Sequence, residues 1–312
     1  MLAGLYVLEE AAEHFTAAVG ALARRLRASE GIVGLLTAGG EWEELVVVLI
    51  AVLGGHPGVA AGNVIGACLA NLIGSMPLGL LGRRPLEPDR SARVYGVVLV
   101  AVTVLAAAVA SSGRVSQPAG GLLIGVFGVY VASVVVIIRR GWLRAPSDDD
   151  EDEDDVAAEG VPPARRSVLV LALSLIVISG AAEAIVLGAS HIAHQIGLSE
   201  YAIGATVVAV GTTLPDKAIS LIGGVQGQGG VVTANALGSN IFVLTLVLGV
   251  AAIFSGGGLH IGAGIVSVDF PLLLGATLLV VALFFRRRLH RATGIALLAL
   301  YVGYLALALL RG

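Results

Sequence analysis

Charged residues are scarce in this sequence. Only 13% of its 312 residues are charged, whereas 57% are hydrophobic and the mean hydropathy is +0.94. A soluble protein of this length needs far more charge to cover its surface, so the composition excludes an ordinary soluble domain. Long apolar runs of roughly 17–25 residues indicate membrane-spanning helices instead.

Cysteine and lysine each occur once, as Cys68 and Lys217. A single cysteine cannot form an intramolecular disulfide, so the redox state of the compartment is not indicated. The first apolar stretch has no basic region before it, and we therefore predict no cleaved signal peptide. The single lysine is of interest because it lies inside a hydrophobic segment, directly after an acid, in the stretch GTTLPDK.

Turn signals divide the apolar sequence into ten predicted spans. The segments GGHPG (54–58), SQP (116–118) and SGGG (255–258) are typical of such turns. The predicted spans are 1–26, 31–55, 58–81, 92–112, 118–140, 167–196, 199–225, 229–254, 265–285 and 292–310. We therefore predict an all-α membrane protein with ten transmembrane helices.

The arginines predict how these spans are oriented. They cluster in the connections after spans 1, 3, 5 and 9, whereas the opposite side carries only Arg114 and Arg311. Because cytoplasmic connections are enriched in arginine and lysine, both termini should lie outside a cell membrane. The connection 141–166, with its run of acids from Asp148 to Asp155, should be a cytoplasmic loop without a packed core.

The two halves of the sequence resemble each other, and the matches recur at a fixed spacing. Five residues match at a spacing of 172: Gly39, Glu44, Gly55, Asn63 and Gly66 with Gly211, Asp216, Gly227, Asn235 and Gly238. We predict a first five-helix repeat over 1–140 and a second over 167–312. Each half has an odd number of spans, so the repeats should be inverted, as in many transporters with a midplane site.

Charged residues interrupt the second and seventh predicted spans at equivalent levels. Glu41, Glu43 and Glu44 lie in AGGEWEE, and Asp216 and Lys217 lie in GTTLPDK. A charge at mid-membrane costs a few kcal/mol or more unless it is paired or hydrated. Four acids against one lysine leave an excess of negative charge, which a bound cation would compensate. Oxygen ligands of this kind suit Ca²⁺ or Na⁺.

The motifs GTTLPD and GSNIF resemble the second signature repeat of the sodium/calcium exchanger family. The resemblance extends to the predicted ten spans, the inverted halves and the central loop. It implies an antiporter that binds Ca²⁺ and Na⁺ alternately at the midplane, with spans 1 and 6 sliding or rocking over the core.

The resemblance also implies a set of cation ligands. Glu44 and Asp216 match the two family glutamates, and the neutral oxygens would come from Asn71, Thr212, Thr213, Ser239 and Asn240. The first repeat departs from the family pattern, because it has GGEWEE in place of GTSLPE. Ala67 and Cys68 replace a Ser-Asn pair, and Val243 replaces an acid or a polar residue. Glu41 is expected to replace the lost hydroxyls as a ligand.

Lys217 is the largest departure, and with Glu43 it is a candidate for coupling or charge compensation. It could act as a tethered cation, exchange protons, pair with a glutamate on another helix, or extend towards an interface. If the segment is helical, Asp216 and Lys217 diverge by about 100° and need not pair with each other.

Three other functions stay open from the sequence. A cation exchanger coupled to protons could use Lys217 or a glutamate, and a transporter of another substrate would keep the same fold. A membrane sensor or scaffold could retain the fold without transporting anything. We expect transport and no enzymatic reaction, no cofactor, no nucleic-acid partner, and a monomer in a lipid bilayer.

Overall fold

The computed structural model describes residues 2–25, 40–82, 85–88, 90–139, 164–286 and 288–311. Within these ranges the chain is predominantly helical. The central segment 140–163, which includes most of the predicted acidic loop, lies outside the described residues, as does segment 26–39. Ala164 already begins a helix, so the last residues of the predicted 141–166 loop are helical.

The helices follow the predicted spans closely. Helices α1 to α6 are Leu2–Arg25, Trp42–Leu53, Pro57–Gly79, Arg90–Ala110, Gln117–Arg139 and Ala164–Ile196. Helices α7 to α11 are Glu200–Thr212, Leu214–Gln226, Gly229–Phe254, Ile265–Phe284 and Arg291–Arg311. α7 and α8 together correspond to the seventh predicted span, and they meet at a bend of 48°.

Seven described helices are long and apolar enough to cross a membrane, and the bent pair α7–α8 makes eight. α1 does not qualify because its sequence carries Glu9, Glu10, Glu13 and two terminal arginines. α2 does not qualify because its described part has only 12 residues. The predicted count of ten spans therefore stays a prediction.

Helix α3 lies at the centre of the molecule and is buried along its membrane-length window. It packs against α7 at glycines, where the two backbones approach closely. A Cβ on Gly66 would lie 2.7 Å from both Ala205 Cα and Ala209 Cβ, and a Cβ on Gly62 would lie 2.8 Å from Ala205 N. These glycines therefore fix the distance between α3 and α7.

Alanine at Gly62 or Gly66 should destabilise the fold by about 1–3 kcal/mol, because overpacking forces the two helices apart. The check is thermal unfolding in detergent, followed with a thiol-reactive dye. Cys68 is the only cysteine and is fully buried, so its labelling reports unfolding. Gly125→Ala is the matched control, since a Cβ there meets nothing within 4 Å. Equal melting temperatures for all three variants would contradict the close packing.

Two short backbone pairings connect the N-terminal and C-terminal parts of the chain. Strand β1 (Arg114–Val115) pairs antiparallel with strand β2 (Leu259–His260). Leu86 and Leu289 form a separate antiparallel bridge. Leu86 precedes α4 and Arg114 follows it, so the two pairings lie at opposite ends of α4, about 30 Å apart.

Candidate functional site

Two helix N-termini carry the acids that the sequence singles out. α2 begins at Trp42, with Glu41 immediately before it and Glu44 in its first turn. α8 begins at Leu214 after the bend, with Pro215 and Asp216 in its first turn. Proline suits the first turn because the N–H that it lacks has no partner there. Carboxylates are stabilised at this end of a helix by the exposed N–H groups.

The acids are withdrawn from solvent. Glu44 is 0% exposed, Glu41 is 3% exposed and Asp216 is 5% exposed. Asp216 lies close enough to Glu41 and to Glu44 for their charges to interact. Glu43 is only half-buried, although it is also close to Glu44 and Asp216. The sequence prediction that Glu44 and Asp216 converge is therefore consistent with this geometry.

Each of the two principal acids is held by an asparagine. Asn63 Nδ2 donates a hydrogen bond to Glu44 Oε2, and Asn235 Nδ2 donates one to Asp216 Oδ1 at 2.7 Å. The donor and acceptor are separated by 19 residues in both pairs. Each amide occupies one carboxylate oxygen and orients the other.

Among the residues that the structure describes, several buried polar atoms around these acids lack a well-formed hydrogen bond. They are Glu41 Oε2, Glu44 Oε1, Asp216 Oδ2, Ser239 Oγ and both side-chain polar atoms of Asn71. Ser239 lies beside Glu41, and Asn71 faces Asp216. A buried polar atom without a partner costs about 1–3 kcal/mol. A cation would satisfy the oxygens and offset the repulsion between the acids.

Carboxylates alone do not complete a cation site here. Within the described ranges, no three His, Cys, Asp or Glu side chains are arranged so that they could hold a metal ion by themselves. A cation at this place would therefore need the neutral oxygens of neighbouring residues as well.

The two threonines of the GTTLPDK stretch lie at the bend. Both are buried, and both hydroxyls donate to carbonyls one turn earlier, Thr212 to Val208 at 3.1 Å and Thr213 to Ala209 at 2.7 Å. Their oxygens keep lone pairs for a further donor or a cation. Thr212 also faces the Glu44 carboxyl from across the site.

The side chain of Lys217, on α8, turns back towards the end of α7. Its Nζ donates to the carbonyl oxygens of Val210 and Thr213, at 3.1 Å in both cases, and to Thr213 Oγ1. The lysine is half-buried, and its charge acts on Asp216, Glu44 and Glu41. Its hydrogen bonds thus go to the bend between α7 and α8 and not to a glutamate.

Asn240 is the predicted ligand whose amide is used elsewhere. It is fully buried, and its Nδ2 donates to the Cys68 carbonyl at 3.2 Å, which ties α9 to α3. Its Oδ1 has no hydrogen-bond partner. Asn240 can therefore contribute its Oδ1 atom to a cation site.

Asn63 and Asn235 were missed as site residues in the sequence interpretation. Their signal was present, since they match each other at the same spacing of 172 that relates Glu44 to Asp216. The ligand set drawn from the motifs did not include them because neither asparagine lies within GTTLPD or GSNIF. Their contact with the acids becomes evident only from the packing of α2 on α3 and of α8 on α9.

Comparison with known proteins gives matches over nearly the whole chain as well as a shorter match. The family model of the sodium/calcium exchanger protein matches residues 1–136 and 166–310. The chain is 29% identical to a candidate antiporter, CaxA of Alkalimonas amylolytica, over 97% of this chain and 96% of that protein. It is also 41% identical over 87 residues to the sodium/calcium exchanger MaX1 of Methanosarcina acetivorans, a match that covers 28% of this chain and 25% of MaX1.

Solved structures give the same result. The sodium-calcium exchanger NCX_Mj, soaked with Na⁺ and Sr²⁺, superposes with a TM-score of 0.63 at 27% sequence identity. The match covers 97% of this chain and 95% of that one. From the family match over nearly all of its length, together with this fold, the chain belongs to the sodium/calcium exchanger protein family, a family of membrane cation antiporters.

Proposed function

We propose that this protein exchanges Ca²⁺ for Na⁺ across a cell membrane by alternating access to one midplane site. The observation that carries the proposal is the group of unpartnered, buried oxygens on Glu41, Glu44 and Asp216. Acids from both parts of the chain meet there, and no cationic side chain within the described ranges is close enough to them for an ion pair. A transported cation supplies the missing positive charge.

The ligands divide into anionic and neutral groups. Glu44 and Asp216 each offer the carboxylate oxygen that their asparagine leaves free, and Glu41 would move towards the cation as a third carboxylate when it binds. Neutral oxygens come from Asn71, Thr212, Thr213, Ser239 and Asn240. A flexible set of oxygens with several carboxylates suits Ca²⁺, which takes about 6–8 ligands, and the same oxygens accept Na⁺.

The arrangement of the chain supports two inverted halves. The Asn63–Glu44 and Asn235–Asp216 pairs are equivalent in the predicted repeats, and the two backbone pairings lie at opposite ends of α4. With ten spans, both termini lie outside and the 141–166 loop lies in the cytoplasm. Inverted repeats bring equivalent residues, one from each half of the chain, to the two sides of a single site at the midplane.

Access to the site changes when α1 and α6 move over the core. These two helices pack extensively against each other. Leu5 of α1 lies over Gly211 at the bend, where a Cβ would come within 2.6 Å of Leu5 Cδ2. A glycine at this contact leaves a smooth surface along which α1 can pass.

The test is tracer calcium uptake into proteoliposomes that contain the purified protein. A sodium gradient or a pH gradient is imposed singly. We expect uptake with the sodium gradient and none above background with the pH gradient. Uptake with the pH gradient alone would identify a proton-coupled exchanger. The absence of any cation flux would favour a sensor or scaffold and would overturn the proposal.

A further inference from the structure

The bend between α7 and α8 offers oxygens that a small cation could use. Carbonyl and hydroxyl oxygens of Val210 and Thr213 lie together there, and the Thr213 carbonyl also accepts the backbone N–H of Lys217 at 3.3 Å. The ammonium group of Lys217 lies against these oxygens. It contacts two carbonyls, of Val210 and Thr213, and the Thr213 hydroxyl.

Each N–H donor of the Lys217 ammonium group has one of these oxygens as its acceptor. An ammonium group has three N–H donors, and the three contacts use one each. Carbonyl and hydroxyl oxygens are also the ligands that hard monovalent cations use. Lys217 therefore occupies a place, next to Asp216, in which a free monovalent cation would otherwise find its ligands.

The net charge of the site determines how many cations are needed to neutralise it. Glu41, Glu44 and Asp216 are the most buried acids of the site, and the charge of Lys217 acts on all three. Glu43 is only half-buried and is not counted with them, so three carboxylates against one ammonium group leave two negative charges when all are ionised. One Ca²⁺ neutralises them, and so do two Na⁺.

We propose that Lys217 is a fixed cation that replaces one transported Na⁺, so that the protein exchanges two Na⁺ for one Ca²⁺ without net charge movement. This inference rests on the proposed function, since it concerns the stoichiometry of the same site. The lysine is attached to the chain and stays at the bend in both directions of transport. The number of cations transported in each cycle is therefore smaller by one.

The test measures the stoichiometry in proteoliposomes whose membrane potential is clamped with potassium and valinomycin. With a roughly tenfold sodium gradient at zero potential, exchange of two Na⁺ accumulates calcium about 100-fold, whereas exchange of three accumulates it about 1000-fold. We expect the wild type to reach the lower value, and we expect its calcium accumulation to be independent of the potential.

Two variants examine the lysine itself. Lys217→Met removes the charge and keeps most of the side-chain length, so a third Na⁺ should be transported and the accumulation should become dependent on the potential. Lys217→Arg keeps the positive charge, and it should keep the exchange independent of the potential. A Lys217→Met protein with the wild-type stoichiometry would contradict the inference.

If the variants fail to fold, the stoichiometry measured on the wild type alone still tests the inference. Sodium-driven exchange that depends on the potential and follows the third power of the gradient would overturn this inference and leave the proposed function intact. A wild type without sodium-driven calcium uptake would overturn both. Calcium uptake that follows a pH gradient and is lost in Lys217→Met would assign the lysine to proton coupling, against a fixed charge.

Discussion

Asp216→Asn and Glu44→Gln should each reduce sodium-driven calcium exchange by at least about 100-fold, equivalent to about 2.7 kcal/mol, because each removes one of the negative charges that hold the transported cation. Both substitutions preserve the shape of the side chain and an oxygen that can accept from Asn235 or Asn63. They remove only the charge. In Asp216→Asn, the ammonium group of Lys217 also loses its nearest acid in the sequence.

The measurement is initial tracer uptake at saturating sodium gradient, with protein amount and melting temperature determined in parallel. Glu87→Gln is the matched control, because Glu87 is an exposed acid that pairs with Arg288 at 2.8 Å, away from the buried acids. It should retain wild-type exchange. If Asp216→Asn or Glu44→Gln is folded and transports calcium as the control does, the acids are not ligands and the proposed site is wrong.

Asn63→Ala and Asn235→Ala should each raise the calcium concentration for half-maximal uptake by about 10–100-fold, the usual effect of losing a group that orients a ligand. The carboxylates remain present in both variants but lose the hydrogen bond that fixes one oxygen. The maximal rate should fall much less than the apparent affinity, since the charge of the site is unchanged.

Thr103→Val is the control for these two variants. Thr103 is fully buried in α4, and its hydroxyl donates only to the Leu99 carbonyl of its own helix. Its replacement removes a buried polar group without touching the acids, and it should leave the apparent affinity for calcium unchanged. An equal loss of affinity in Thr103→Val would show that the asparagines act through general stability and not through the carboxylates.

Much of the helical framework could be predicted from the sequence. Hydrophobic runs and Gly/Pro turn segments gave boundaries that agree with the described helices, and Pro215 correctly predicted the break in the seventh span. The reason is physical, because each signal is local: a bilayer demands a certain apolar length, and proline ends a helix in a known way. The part of the second predicted span over 31–39 lies outside the described structure.

The contacts of the site were less predictable. The spacing between equivalent residues related Asn63 to Asn235, but it gave no reason for either amide to contact an acid 19 residues away. Lys217 was expected to pair across helices, extend towards an interface, or take part in coupling. Its contact with Val210, seven residues earlier, depends on the geometry of the bend, which the residue order alone does not determine.

The backbone pairings at Leu86–Leu289 and Arg114–His260 have a consequence for how the protein can open. They join sequence-distant connections at both ends of α4, so a swing of the N-terminal part against the C-terminal part would have to break main-chain hydrogen bonds at two levels. The helices between them are therefore expected to stay together as one frame throughout the transport cycle. α1 and α6 take no part in either pairing, and the proposed movement of these two helices over the core would leave both pairings intact.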